Sequence, residues 1–169
     1  MTAADFGLLV LRLALGLMMM AHGYNKVKGG LDGTGRWFES LGMHPGWLHA
    51  RLAACTELGA GLLFALGLLT PAAAAGIIGV MLVAGLTDHR GKGFFIFRKD
   101  QGWEYVMIIG VAAFAVACIG AGKASIDHAL GLDVEGWWGA AIAGIGGVGA
   151  AALVLALCYR PAPSSAKAS

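Results

Sequence analysis

Five apolar stretches constrain the fold of this chain more than any other feature. They cover roughly residues 6–22, 52–69, 72–89, 103–120 and 137–159. Crossing the hydrocarbon core of a bilayer, about 30 Å thick, takes about 17–25 helical residues, and each stretch reaches that length. In lipid every backbone polar group must be hydrogen-bonded within its own segment, so each stretch is predicted to be a helix. The sequence therefore predicts an all-α integral membrane protein.

The composition agrees with this class. Only 13% of the 169 residues are charged and the mean hydropathy is +0.73, whereas soluble domains carry about a quarter charged residues. No Lys or Arg precedes Arg12 and no signal-peptidase-like site follows the first stretch, so we expect it to remain attached as the first helix. Residues 160–169 carry no large apolar side chain and are predicted to form a disordered tail.

Basic residues are distributed unequally between the two sides that five spans would create. Ten of the twelve fall on one side: Lys26, Lys28, Arg36, Arg51, Arg90, Lys92, Arg98, Lys99, Arg160 and Lys167. The opposite side keeps Lys123, with Arg12 near it inside the first helix. Because basic loops stay in the cytoplasm, we predict an external N-terminus and a cytoplasmic C-terminus.

Arg12 is predicted to be a structural anchor at the outer end of the first helix. Its long side chain can snorkel to the surface or meet an acidic residue of the outer side, the candidates being Asp5, Asp127, Asp133 and Glu135. A direct pair with Glu57 is not expected, since helix geometry separates the two by about 12 Å along the membrane normal. An anchoring role and a functional role both remain open.

Polar side chains from four helices are predicted to meet in one layer near the inner end. His22, Asn25 and Lys26 share one helical face. The other members are Asp88, His89, Glu104 and Glu57. Ionisable groups inside membrane helices are costly, so this concentration calls for an explanation.

Two explanations of the inner layer stay open. The first is a ring of interfacial salt bridges that closes the bundle. The second is a polar pocket in which a carboxylate beside a histidine binds and protonates a quinone headgroup or an acidic small molecule. Glu57 has no basic residue near it on its own helix, so its partner is expected on another helix, with Lys26 or His22 nearest in depth.

Other cofactor chemistry finds little support in the sequence. His22 and His89 lie at similar depth, as a bis-histidine haem would need, but both are near the interface, where histidines commonly serve as polar anchors. No C-x-x-C pair is present, which argues against a zinc site and a thiol–disulfide enzyme. Phosphate-binding and nucleophile motifs are also missing, and nucleic acid is not an expected partner.

Two further segments carry structural predictions. Residues 34–42, TGRWFESLG, are typical of a short helix on the membrane surface, with Thr34 as a cap and Trp37, Phe38 and Leu41 on one face. In the fifth stretch small residues recur every fourth position, at Gly139, Ala143, Gly147 and Ala151. This stripe permits close backbone approach, either to the other helices or to a neighbouring subunit.

The order of these motifs resembles the DoxX family of small bacterial membrane proteins. The resembling pieces are LVLRLALGLMMMAHGYNK, WFESLGMHP, ARLAACTELGAGLLFALGLLTP, GFF at 93–95 and GWEY at 102–105. The family implies a four-helix membrane domain, here residues 1–130, so the helix within 131–159 would be an addition. By position, its motifs fall on Arg12, His22, Gly23, Lys26, Glu57, Glu104 and Tyr105.

The resemblance also implies a functional theme. Family members are linked to membrane redox work, and one branch serves as a subunit of a thiosulfate:quinone oxidoreductase. We therefore expect a redox-associated subunit in the bacterial cytoplasmic membrane. It would bind a quinone, with no covalently bound cofactor and with electron carriers on a protein partner. The alternative is a non-catalytic accessory or scaffold subunit of a larger complex or homo-oligomer. A small-solute carrier is less favoured, because five short helices leave little room for two alternating halves.

Overall fold

A computed structural model describes residues 1–97, 99 and 101–161 of the chain. Within these residues all regular secondary structure is helical, apart from an isolated β-bridge between Met43 and Tyr159. The predicted all-α class is confirmed. The helices are α1 (Ala3–Lys28), α2 (Leu31–Ser40), α3 (Gly46–Leu66), α4 (Thr70–Thr87), α5 (Glu104–Ile119), α6 (Ile126–Leu130) and α7 (Gly136–Cys158).

Three of the described helices are long and apolar enough to cross a membrane. These are α1, α4 and α7, with 26, 18 and 23 residues. Helix α5 is apolar but has only 16 residues. Helix α3 has 21 residues and carries Arg51 and Glu57 within its length. The arrangement of four spans plus one therefore stays a prediction.

The helices begin and end at different residues from the apolar stretches. Helix α1 continues past residue 22 to Lys28, and α3 begins at Gly46 rather than at residue 52. Hydropathy marks only the apolar part of a helix, whereas the backbone hydrogen bonds continue through polar turns such as the one that contains Lys26. Both extensions carry polar side chains to the same end of the molecule.

Helix α2 differs from its sequence-based prediction at its start. Gly30 is the N-cap residue, and Thr34 lies inside the helix, where its hydroxyl donates to the Gly30 carbonyl at 3.2 Å. The predicted cap at Thr34 is therefore wrong. Phe38 is buried, while Trp37 on the neighbouring position is exposed. Helix α2 thus packs against α3, with one of its two aromatic side chains buried.

The core lies between two groups of helices. Helix α1 packs along α3, and α4 packs against α5 and α7. Large buried side chains at their contacts include Met19, Phe64, Ile77 and Val116. In α7 the small-residue stripe lies on the buried face, where a Cβ at Gly139 would overlap the Ala117 carbonyl oxygen. The close approach that this stripe permits is therefore made within the chain.

Arg12 does not snorkel. Its side chain is 0% exposed, and Nη2 donates to the carbonyl of Ala124. The guanidinium lies against Gly67 and Ser125, beneath the segment that leads into α6. Within the described residues Nε and Nη1 have no hydrogen-bond partner. The predicted snorkelling of Arg12 is therefore wrong, because the segment that contains Ser125 folds over this end of α1 and buries the side chain.

Asp127 takes a structural role at the same end. Its carboxylate accepts from the backbone N–H groups of Leu69 and Thr70, at 2.7 and 2.9 Å, and from the Thr70 hydroxyl at 2.7 Å. These are the free donors at the start of α4, so an acidic side chain on α6 caps a helix 57 residues earlier in the chain.

Part of the predicted tail can be described. The Arg160 N–H donates to the Gly42 carbonyl at 2.7 Å, which ties the chain after α7 to the segment before α3. The remainder of the predicted tail, residues 162–169, lies outside the described residues. So do Arg98 and Lys167, which entered the comparison of basic residues between the two sides.

Candidate functional site

A cavity of about 510 Å³ opens at the end of the helices that carries Lys26 and Glu57, which is called the inner end after its predicted orientation. Helices α1 to α5 and α7 all contribute to its walls, and the greater part of the lining is apolar. Sites for small molecules commonly enclose about 300–1,000 Å³ and combine apolar walls with a few polar groups. Apolar lining residues include Leu52, Val80, Met81, Ile109, Ala150 and Val154.

Lys26 and Glu57 form the first polar group of the cavity. The Lys26 ammonium donates to both carboxylate oxygens, at 2.7 Å to Oε1 and 2.6 Å to Oε2. The side chain of Glu57 is 5% exposed and that of Lys26 is 18% exposed. The partner of the Glu57 carboxylate thus comes from α1, and both residues line the cavity.

His89 and Tyr105 form the second polar group. His89 Nδ1 lies 2.8 Å from the carbonyl oxygen of Gln101, which can only accept, so Nδ1 carries the proton in the neutral imidazole. Nε2 is then free to accept from the Tyr105 hydroxyl, also at 2.8 Å. The Asp88 carboxylate lies 3.5 Å from Nε2 and pairs with Lys92 at 2.7 Å.

This second group can hold and move a proton. When Nε2 becomes protonated, Asp88 lies close enough to stabilise the imidazolium. Tyr105 lines the same cavity as the Lys26–Glu57 pair. These two polar groups together bring an ammonium, two carboxylates, an imidazole and a phenol to the cavity, from α1, α3, α5 and the segment that directly follows α4.

His22 lines the cavity one helical turn before Lys26 and has an exposed side chain. Asn25 is exposed and does not line the cavity, although the sequence places it beside them. His22 and Lys26, four residues apart, are thus the members of the predicted helical face that line the cavity.

Glu104, like Asn25, does not line the cavity. Its carboxylate accepts from the Ile96 N–H at 3.2 Å, and its own N–H donates to the Phe94 carbonyl. Glu104 therefore faces the segment between α4 and α5. Tyr105, the next residue on α5, points inward instead, because consecutive helical positions lie about 100° apart.

Two contributions to the site were not predicted from the sequence. His49 is 5% exposed and lines the cavity, and its Nε2 has no hydrogen-bond partner in the described part of the chain. The predicted second span began at residue 52, which left His49 in a loop. The other contribution is α7, whose Gly146, Ala150 and Val154 complete one wall. Nothing in the apolar pattern of α7 indicated that role.

No cluster of three or more His, Cys, Asp or Glu side chains with metal-binding geometry occurs among residues 1–97, 99 and 101–161. Cys55, Cys118 and Cys158 are free thiols on three different helices. The chemistry that this arrangement offers is hydrogen bonding, charge and proton exchange toward a molecule in the cavity.

Residues 7–90 match the model of the DoxX family. The match takes in α1 to α4 and with them Lys26, Glu57, Asp88 and His89, while Tyr105 and α7 lie beyond it. Neither the comparison with curated proteins nor that with solved structures gave a match. Together with the apolar helices, the family match indicates a multi-pass membrane protein in contact with the lipid bilayer.

Proposed function

Because the chain belongs to the DoxX family, we propose that it binds a quinone or a similar small apolar molecule in the inner-end cavity. It would do so as a redox-associated subunit of the membrane. The observation that carries the proposal is the combination of a largely apolar cavity of about 510 Å³ with two polar groups, Lys26–Glu57 and His89–Tyr105.

The two polar groups match what a quinone headgroup requires. A carbonyl oxygen needs a hydrogen-bond donor. The Lys26 ammonium has a third N–H beyond the two that Glu57 accepts, and the Tyr105 hydroxyl would donate to the bound carbonyl in place of His89 Nε2. Reduction to the quinol adds two electrons and two protons, and the His89 imidazole lies beside Tyr105, where one ring nitrogen can accept a proton while the other donates to the Gln101 carbonyl. The electrons would come from a partner protein that carries the redox cofactor.

The proposal includes a membrane arrangement. We propose five spans, α1, α3, α4, α5 and α7, in the bacterial cytoplasmic membrane, with the N-terminus outside and the C-terminus in the cytoplasm. The distribution of basic residues supports this orientation. The cavity would then open within the cytoplasmic leaflet, where a lipid-soluble quinone is available.

A second function has a specific observation in its favour. Glu57 is paired with Lys26, Asp88 with Lys92, and His89 with Tyr105, so these side chains already satisfy one another. An accessory or scaffold subunit would need the polar layer only to hold α1, α3, α4 and α5 together. In that case the cavity would be a packing feature, and the protein would act through a partner in a membrane complex.

Purification under mild detergent distinguishes the two functions. We expect quinone to co-elute with the wild-type protein at a fixed ratio, as measured by organic extraction and absorbance. Glu57→Gln should lose the quinone while the protein keeps its helical content and elution volume. Glu104→Gln is the matched control, since it makes the same change on α5 outside the cavity, and it should retain the quinone.

The accessory function gives a different pattern. Both variants would then show the same low quinone content as the wild type, and the protein would co-purify with a larger complex. That outcome would refute the quinone proposal.

A further inference from the structure

A second concavity, a groove of about 640 Å³, lies at the periphery of the helix bundle, where α4, α5 and α7 meet. Its walls are almost entirely apolar, and the side chains that form them include Leu82, Leu86, Met107, Val111, Phe114 and Val148. None of the polar residues of the inner-end cavity lines it. This groove is therefore a separate feature, and in a membrane it faces lipid.

The groove is deep because glycines line it on all three helices. Gly85, Gly110 and Gly144 line it from α4, α5 and α7 respectively. A Cβ at Gly110 would meet only the Cβ of Met81, at 3.8 Å, which is ordinary van der Waals contact. The groove at this point is open space that a larger side chain, or a hydrocarbon chain, can fill without displacing the backbone.

The groove ends at a cation. Arg90 and Trp103 line it at the end of α4 and the start of α5. Arg90 is exposed and forms no hydrogen bond or ion pair with any residue of the described ranges. Lys92 nearby is different, because the Asp88 carboxylate 2.7 Å away already neutralises it. Among the residues that line the groove, the unpaired positive charge is thus the guanidinium of Arg90.

The length of the groove corresponds to one leaflet. It runs from Ile78 to Leu86 on α4 and from Val106 to Phe114 on α5, and eight residues of helix rise about 12 Å. Half of the hydrocarbon core is about 15 Å. Trp103 is 40% exposed at the end where the headgroup region would begin, as is typical of interfacial tryptophans.

We propose that this groove binds one anionic phospholipid, with an acyl chain between α4, α5 and α7 and its phosphate at Arg90. A guanidinium matches the planar spacing of phosphate oxygens and can donate to two of them. A zwitterionic lipid would fill the groove equally well but would leave the positive charge without net compensation. The lipid would hold α7 against α4 and α5 and so support one wall of the inner-end cavity.

The test is lipid retention in protein reconstituted with a mixture of phosphatidylglycerol and phosphatidylcholine, counted by native mass spectrometry after mild delipidation. Wild-type protein should retain one phosphatidylglycerol in preference to phosphatidylcholine. Arg90→Gln should reduce that preference about fivefold, the factor expected for one basic side chain at an anionic surface. Gly110→Leu should remove the retained lipid of either class by filling the groove.

Two matched controls accompany these variants. Lys28→Gln removes an exposed cation at the end of α1, away from the groove, and should leave the preference unchanged. Gly149→Leu places the same side chain on α7 where a Cβ meets nothing within 4 Å, and should retain the lipid.

Three results would overturn the proposal. They are an unchanged lipid preference in Arg90→Gln, equal retention in Gly110→Leu and Gly149→Leu, and a groove occupied by a quinone or a second copy of the chain instead of a phospholipid. Arg90→Gln decides the question even if Gly110→Leu fails to fold, since Arg90 supports no other described residue.

Discussion

Lys26 on α1 and Glu57 on α3 form an ion pair in which one ammonium lies 2.7 Å from Oε1 and 2.6 Å from Oε2 of the same carboxylate. The pair joins the two helices at the wall of a largely apolar cavity. Because the pair is buried, the energetic cost of removing one charge differs from that of removing both. Losing both charges together is tolerable, whereas losing one strands the other in an apolar environment.

This asymmetry gives the first prediction. Lys26→Met should lower the free energy of unfolding by about 3–5 kcal/mol, because it leaves the Glu57 carboxylate without a partner. The double variant Lys26→Met/Glu57→Met should recover a large part of the loss. Chemical denaturation in detergent measures both. Lys28→Met, at an exposed position, is the control, and a loss in Lys26→Met no larger than in this control would contradict the prediction.

The second prediction concerns Tyr105, whose hydroxyl donates to Nε2 of the buried His89. Tyr105→Phe should cost about 1–3 kcal/mol of stability, because it leaves a buried acceptor without a donor. It should also weaken quinone binding, because in the proposed complex this hydroxyl donates to the quinone carbonyl in place of His89 Nε2. Tyr24→Phe provides the comparison, since Tyr24 is 60% exposed. Equal midpoints for the two variants would show that the His89 contact contributes nothing.

The third prediction concerns Arg12. A snorkelling side chain at this position could be a lysine as well as an arginine, but the Arg12 guanidinium is buried, so Arg12→Lys should be harmful. Lysine cannot reproduce the planar guanidinium that donates to Ala124 and packs against Gly67. We expect the free energy of unfolding to fall by about 1–3 kcal/mol, as measured by denaturant titration of the variant and the wild type in detergent. Wild-type stability in this variant would restore the solvated-anchor interpretation.

The fourth prediction concerns the packing of α7. A Cβ at Gly147 would overlap Ile78 and approach the Ala75 carbonyl, whereas at Gly149 it would meet nothing within 4 Å. Gly147→Leu should therefore destabilise the protein by about 1–3 kcal/mol or more, through overpacking against α4. Gly149→Leu, on the same helix, should change stability little. Thermal midpoints of the two proteins in one detergent make the comparison, and similar midpoints would count against the packing of α7 described above.

The fifth prediction concerns topology. If the basic residues fix the orientation, a reporter fused after α7 that is active only outside the cytoplasm should stay silent. A cytoplasmic reporter at the same position should be active. Reversed activities would show that either the number of spans or the orientation is wrong.

Much of the site follows from depth along the helices. Lys26 emerges as a candidate partner of Glu57 because rise per residue alone places the two near one level. Glu104 shows where such reasoning fails. Its depth matches that of Tyr105, but only the rotation of α5 decides which of the two neighbours faces the cavity, and rotation depends on packing against α4 and α7.

The sequence by itself determined the helical class, since apolar stretches of membrane length allow no other hydrogen bonding of the backbone. It also marked the ionisable side chains as exceptional, because their burial is costly. Tertiary structure decided that the Arg12 side chain is buried beneath the segment that contains Ser125, that His49 lines the cavity, and that α7 forms one of the cavity walls. Each of these depends on which helix faces which, a choice made by the packing of small and large side chains between segments far apart in the chain.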